Sequence, residues 1–395
     1  MCRALVWAVT LGMALPSAAA ATDDIPAFAR RYGVSCQLCH NPVPTLTAFG
    51  EQFAGNGFRM SPAEEPRDTI NTGDDLLTLP RDLGLAMRLD AYIQAYAGGD
   101  RVVGDFQTPY NLKILAGGTL SRKLSYYLYF FLFERGEVGG VEDAFVQVND
   151  IGGQPLDVAI GQFQVSDPMF KRELRLEFQD YAVYRARLGD QPADLTYDRG
   201  LYVTADVAGF TLSGIAVNGN GRGEAFPNRR LDDGAPKSFV LHATRDVATG
   251  LRLGALGYYG RQHGDTVSNT LTMLGADATI SVGRVELNAQ YLHREDDAAT
   301  FTAGEPTVTT DGGFAELIWR APGDRWYALA LYNLVTADRP LLDVRLGGPA
   351  GLRRYETLTG GGGWVVRRNF RLYGEATWDL AAHGAVVTLG LTTAF

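Results

Sequence analysis

The sequence lacks long apolar runs. Past the first twenty residues, no stretch approaches the roughly eighteen continuous apolar side chains of a membrane-spanning helix, so helical spans are excluded. An excess of positive charge is also missing. Lys and Arg number 36 against 45 Asp and Glu, a formal net charge of −9, which argues against nucleic acid and other polyanionic partners. Cysteine is scarce, with three in 395 residues, and histidine nearly so, with five. The histidines past His40 fall singly on predicted strands and loops, so no hydrolytic constellation is visible.

What is present begins with an export signal. Arg3 supplies a positive start, Ala4 to Leu15 a short apolar core, and Pro16-Ser17-Ala18-Ala19-Ala20 a small-residue cleavage site. Cleavage is expected after Ala20, giving a signal peptide over 1–20. Cys2 completes no lipoprotein-type site and leaves with the signal. The hydrophobic fraction is 46%, with 18 Tyr, 19 Phe and 47 Gly. For an exported chain without helical spans, that leaves a soluble periplasmic protein or an outer-membrane β-barrel.

The two remaining cysteines stand as Cys36-Gln37-Leu38-Cys39-His40. This is the c-type haem attachment pattern. Two thiols on one turn add to the two vinyl groups along one porphyrin edge, and the next residue, His40, lies below the macrocycle as an axial ligand. A zinc or thioredoxin-like reading needs further ligands or a βαβ setting, and neither surrounds the motif. Residues 25–33 read as a short helix with Gly33 past its end, and Pro44 to Asn56 as a second. Leu46, Phe49 and Phe53 share one face of the second helix, so Phe49 and Phe53 are expected to pack on the porphyrin. A unit this small cannot bury enough apolar area alone, and the cofactor must serve as its core. Met60 is the candidate second axial ligand; an open, water-bound or barrel-supplied position is the alternative. The haem-bearing segment is assigned to 21–60 and an irregular linker, rich in Pro, Asp, Glu and Thr, to 61–80.

From Leu83 the period changes to two. Leu83, Leu85, Met87, Leu89, Ala91, Ile93 and Ala95 alternate with a mostly polar set over a stretch long enough to cross a membrane. Similar stretches recur at 109–120, 123–135, 252–261, 284–294, 326–336 and 370–380. Short turns near 121–122, 149–154, 208–209, 246–250, 282–283, 322–324 and 368–369 alternate with longer connections near 98–108, 164–199, 219–237, 295–311 and 337–353. That sorting by length is the outer-membrane pattern and not that of a soluble sandwich. Sixteen strands result if 175–186 belongs to a long loop, the size class wide enough for an aqueous lumen or a small plug. The last strand, with Val387, Leu389, Leu391, Thr393 and the terminal Phe395 on one face, carries the terminal aromatic of bacterial outer-membrane barrels. The fold class expected is an all-β transmembrane barrel over 81–395, of about sixteen antiparallel strands, preceded by a small α-helical haem plug. The connection from Gly161 to Pro168, followed by Lys171, Arg172, Glu173 and Arg175, is similar to the inward-folded constriction loop of phosphate-selective porins. A solvated charged surface loop is the other reading.

Together, Pro26 to Gly33, Cys36 to His40, Pro44 to Gly50, Phe53 and Asn56-Gly57-Phe58 resemble the fused monohaem cytochrome–porin family, which includes outer-membrane iron(II) oxidases. The barrel resembles it in architecture only. The resemblance implies one covalent haem c plugging the pore from the periplasmic side. Electrons from an extracellular donor, Fe(II) first, would pass to a periplasmic c-type cytochrome or other electron carrier, with outer-membrane lipid around the barrel. Oxidising iron outside the cell keeps insoluble ferric iron out of it. Candidate cation-attracting residues on the outer loops are Asp100, Asp105, Glu224, Asp232, Asp233, Glu295, Asp296 and Asp297. Two further readings stand beside an inward conduit or iron(II) oxidase: outward transfer to an external acceptor, and an anion porin with a haem-bearing plug, a reading that rests on the basic constriction residues Lys171, Arg172 and Arg175.

Overall fold

The computed structural model describes residues 27–81, 84–98, 101–232, 236–344 and 350–395. The expected signal peptide, Pro26, Leu83, Asp100 and Asp233 lie outside the described residues.

Among the described residues, sixteen antiparallel strands close into one barrel. They are β1 (Leu85–Gly98), β2 (Arg101–Ser121), β3 (Leu124–Glu134), β4 (Gly140–Val148), β5 (Leu156–Gln164) and β6 (Tyr197–Val207). Next come β7 (Phe210–Val217), β8 (Ser238–Ala248), β9 (Leu251–His263), β10 (Ser268–Val282) and β11 (Val285–Asp296). The circuit ends with β12 (Val308–Arg320), β13 (Trp326–Ala337), β14 (Arg354–Arg367), β15 (Phe370–Asp379) and β16 (Gly384–Ala394). β16 then pairs with β1, from Gly384 opposite Gly98 to Ala394 opposite Arg88. Beyond that ladder, the Phe395 N–H donates to the Met87 carbonyl at 2.9 Å, and the Met87 N–H donates to the Phe395 carbonyl at 2.6 Å.

The period-two pattern explains which face each side chain takes. On β1, Asp90, Tyr92 and Gln94 are buried inward while Leu85 and Ile93 are exposed outward; on β16, Thr388 and Thr392 point in while Val387, Leu389 and Phe395 point out. Exposed Trp319, Trp326 and Trp364 sit toward the short-turn end, with the Trp326 and Trp364 rings stacked at 5.5 Å. Tyr259, Tyr291 and Trp378 lie exposed toward the other end. An apolar outer wall edged by aromatics suits a barrel seated in lipid.

Connections at 122–123, 208–209, 249–250, 283–284 and 368–369 are tight, whereas those at the opposite end reach 165–196, 218–237, 297–307 and 338–353. One expected long connection is absent. Around 98–108 the chain stays in the ladder, with Gly98 opposite Arg101 and Tyr96 opposite Val103, because Val102, Val103 and Phe106 sustain the strand through Gly104 and Asp105.

The longest connection turns back into the lumen. Val165, Tyr181, Tyr184, Leu188 and Leu195 are buried against inward-facing Ile215, Val240, Leu271, Phe314 and Leu331. Tyr181 stacks on Phe314 with centroids 4.1 Å apart. Residues 186–188 pair with 342–344 from another connection, tying two loops together inside the barrel. The alternative of a solvated charged surface loop for Gly161 to Pro168 and the Lys171 to Arg175 run is therefore corrected. The segment's apolar residues find inward-facing apolar partners on β7 to β13, and burial there outweighs the solvation of its charges.

The N-terminal unit occupies the short-turn end. It holds α1 (Ala27–Tyr32) and α2 (Ala48–Gly55). The second helix begins four residues later than expected, because Thr47 caps it by accepting from Gly50 N–H. Residues 41–47 instead fold back on the motif, with Thr47 N–H bonded to the Cys39 carbonyl at 2.8 Å. The segment assigned as an irregular linker carries a two-residue ladder, Thr69–Ile70 against Leu79–Pro80.

Candidate functional site

Cys36, Cys39, His40 and Met60 line one cavity of about 370 Å³, between the N-terminal unit and the inner barrel wall. That volume lies in the range of small-molecule and cofactor sites. The two thiols are not joined to one another. Burial raises both above the ordinary cysteine value, so they stay protonated at neutral pH. The turn presenting them is a short 3-10 helix, Cys36–Leu38, with Ser35 at its N-cap.

His40 is oriented by its own loop. Its Nδ1 lies 2.9 Å from the Pro44 carbonyl oxygen, which can only accept. Nδ1 therefore carries the proton and Nε2 keeps its lone pair, the tautomer of an axial ligand. Burial pushes the imidazole below its usual pKa, with the Pro44 and Thr45 carbonyls working the other way. A neutral imidazole is the ligating form.

Gly50 fixes how closely α2 approaches the motif. A Cβ there would lie 2.3 Å from the Cys39 carbonyl oxygen, so any side chain would push the helix off the Cys36–Cys39 turn.

The cavity's apolar side is aromatic. Phe28 packs edge-on against Phe53 at 5.2 Å and stacks on Phe58 at 4.8 Å, and Phe58 stacks on Tyr127 of the barrel at 5.5 Å. Of the two phenylalanines assigned to pack on the porphyrin, Phe53 lines the cavity. Phe49 joins through Phe53, against whose ring it stacks at 6.4 Å. Phe28, Tyr32 and Phe58 also line the cavity, without having been assigned to it from the sequence. Helical periodicity cannot pair α1 with a residue beyond the end of α2.

The opposite side is charged. Arg88, Asp143, Asp167, Lys171 and Glu173 all line it. Glu173 bonds the Lys113 ammonium at 2.9 Å and the Tyr129 hydroxyl at 3.1 Å. Burial alone would raise the Glu173 pKa, but Lys113, Arg175 and Arg172 outweigh it and hold the carboxyl well below its ordinary range. The basic residues proposed for a constriction are mostly committed elsewhere. Arg172 pairs with Asp180 on both carboxylate oxygens, and Arg175 and Arg185 reach the same carboxylate at 3.6 and 3.4 Å.

The unit is latched to the barrel. Arg59 is almost fully buried and donates to the Asn56, Pro62 and Arg122 carbonyls, each at 2.8 Å, and to Asp150 Oδ2 at 2.9 Å. Gln147 donates to the Gly55 carbonyl at 3.0 Å, and Arg320 to that of Asn41 at 2.8 Å. Among the described residues, the acidic residues proposed for the outer loops do not converge. Asp296 is buried in an ion pair with Arg294, Asp232 pairs with Lys237, and Glu295 faces His293 at 3.3 Å.

No protein-family model and no characterised protein matches the sequence. Solved structures match in shape. A loop-deletion form of OmpT, an outer membrane protein of Vibrio cholerae, aligns at TM-score 0.53 and 13% identity, over 79% of this chain and 98% of that one. The anion-selective porin from Comamonas acidovorans aligns at 0.56 and 13%, over 79% and 98%. Salmonella typhi OmpF in complex with daunomycin aligns at 0.54 and 11%, over 79% and 97%. The fold is that of an outer-membrane porin. Within this porin barrel the motif cavity lies at the short-turn end, and the infolded segment 165–196 packs into the lumen and lines part of it.

Proposed function

We propose that the chain is an outer-membrane electron conduit: a porin barrel around a single c-type haem held by Cys36 and Cys39, with His40 and Met60 as axial ligands. It would take electrons from an extracellular donor, Fe(II) first, and pass them to a periplasmic carrier. The observation that supports this most is the convergence of all four residues on one cavity inside the lumen. A haem would supply a one-electron centre there.

The chain's own residues do the rest. Two thioethers would fix the cofactor edge, and the Pro44 carbonyl, by holding Nδ1, leaves His40 Nε2 as the ligating nitrogen. Phe28, Phe53 and Phe58 keep water from one side. The infolded segment packs an apolar layer into the lumen toward the long-loop end, which favours electron passage over solute passage. The assembly functions as a conduit only while Arg59 and its partners hold the plug in place.

The fold likeness to an anion-selective porin supports a second reading, solute passage around a haem-bearing plug. Arg172 and Arg175 argue against it, because both are committed to Asp180. The test is anoxic mixing of the oxidised, detergent-solubilised protein with Fe(II), after a potentiometric titration, with planar-bilayer conductance in parallel. Haem reduction within seconds and low conductance support the conduit. An inert haem and a large, anion-selective conductance support the porin. A potential too low for Fe(II), with rapid oxidation by external acceptors, reverses the direction of flow.

A further inference from the structure

Among the described residues, two cations line the motif cavity, and their side chains are used differently. Arg88 is committed: its Nε pairs with Asp90 at 3.0 Å and its Nη1 donates to the Glu173 carbonyl at 3.2 Å. Lys171 is not. It is partly buried, and its ammonium makes no hydrogen bond and no ion pair among the described residues.

The chain next to Lys171 is nevertheless held firmly. Arg172 pairs with Asp180 and donates to Gln164 Oε1 at 3.0 Å. Glu173 takes the Lys113 ammonium and the Tyr129 hydroxyl. The Leu174 N–H donates to the Lys171 carbonyl at 3.0 Å, and the Leu174 carbonyl accepts from Thr45 of the plug at 2.9 Å. A braced turn thus delivers a lysine to the cavity wall, where it has no anionic partner. A lysine on an open surface would extend its ammonium into water, and a charge kept inside the protein costs free energy until it is paired.

The acidic residues of the cavity do not supply that partner. Glu173 is neutralised by Lys113, and Asp167 Oδ1 accepts from Gln164 Nε2 at 3.0 Å. Asp143, on β4, has an Oδ1 that meets no donor, and it forms no ion pair with Lys171. Lys171 is therefore the uncommitted positive group for an anion entering this cavity. A haem c held by Cys36 and Cys39 along one edge carries its two propionates on the other edge.

We propose that Lys171 is the counter-ion of a haem propionate, a positioning role that rests on the haem reading above. The ion pair holds that propionate ionised and keeps its negative charge from acting on the iron. Losing the ammonium removes both effects. The propionate pKa should rise by about one to three pH units, and the haem potential should fall, because an uncompensated carboxylate favours the ferric form.

The test compares wild type, K171M and K171R as full-length, haem-matured chains with carbon-13 in the propionate carboxyls. Haem is counted first by its pyridine haemochrome. The midpoint potential and the infrared bands of the labelled carboxyls are then followed against pH. K171M should show the lower potential and the raised propionate titration, and K171R should restore both. A chain without covalent haem overturns the haem reading and this one together. A haem-bearing K171M that matches wild type overturns this one alone. So does a lower potential with the propionate titration unmoved, because the lysine would then act only through its field. If K171M does not fold, the wild type decides: a propionate ionised well below the ordinary carboxyl range supports the pair, and two that both protonate within that range refute it.

Discussion

Thr45 and Leu174 meet inside the barrel: the Thr45 hydroxyl donates to the Leu174 carbonyl at 2.9 Å, across 129 residues of sequence. Thr45 belongs to the loop that folds back beneath His40, and Leu174 to the segment that returns into the lumen from the opposite end. Both line the motif cavity or adjoin residues that do. Plug and infolded segment thus share a contact as well as a space.

That contact gives a graded prediction. T45V should weaken plug docking by about 1 kcal/mol, the net contribution of one hydrogen bond. R59A should cost more, about 3 kcal/mol, because it leaves buried acceptors and Asp150 without their donor. Hydrogen exchange across 27–60 should rise slightly in T45V and strongly in R59A, with barrel strands protected in both. Equal exchange in the two variants would show that Arg59 is not the latch.

G50A should disturb the Cys36–Cys39 turn directly. Its Cβ would meet the Cys39 carbonyl oxygen at 2.3 Å, and backbone cannot yield as a flexible side chain can. A loss of roughly 1–3 kcal/mol in stability of the N-terminal unit is expected, within the range for overpacking. The yield of covalently bound haem should fall with it. Wild-type yield in G50A would mean that α2 can move aside.

Asp180 sets an acid limit on the infolded segment. Burial opposes its ionisation, but Arg172, Arg175 and Arg185 outweigh burial and hold the carboxyl well below the ordinary range. The ionised form therefore stabilises the fold above the unfolded value of about 4, and that contribution is lost as pH falls through the depressed folded value. Protease protection of 165–196 should persist through mildly acidic pH and fail only in strong acid. D180N leaves the buried Arg172 guanidinium without its carboxylate and should cost about 3 kcal/mol or more at every pH. A variant as resistant as wild type at neutral pH would discount the pair.

Much of this was legible in the sequence, for identifiable reasons. Alternation of side chains reports directly on strands, so Asp90, Tyr92 and Gln94 could be separated from Leu85 and Ile93 before any coordinates. Cys36, Cys39 and His40 could be grouped as one candidate site because their motif spans only five residues, and they line one cavity. The long-range parts were not legible. Nothing near Val165 or Tyr184 indicates that both will pack against Ile215 and Phe314, since inward-facing apolar residues on β7 to β13 read like ordinary strand interiors. Phe28 and Phe58 were missed as cavity residues because they come together only when α1 crosses the end of α2. Arg172 was assigned to a constriction from its charge, while Asp180, eight residues on, neutralises it.

The central claim is that Cys36, Cys39 and His40 hold a covalent haem inside this barrel. The most direct measurement is the pyridine haemochrome spectrum of the full-length chain, made in a host that matures c-type cytochromes and then denatured to strip non-covalent haem. The account predicts one haem per chain with the spectrum of two thioether bonds, shifted in C36S or C39S and absent in the double variant. A denatured chain that carries no haem, with both thiols open to alkylation, would contradict it.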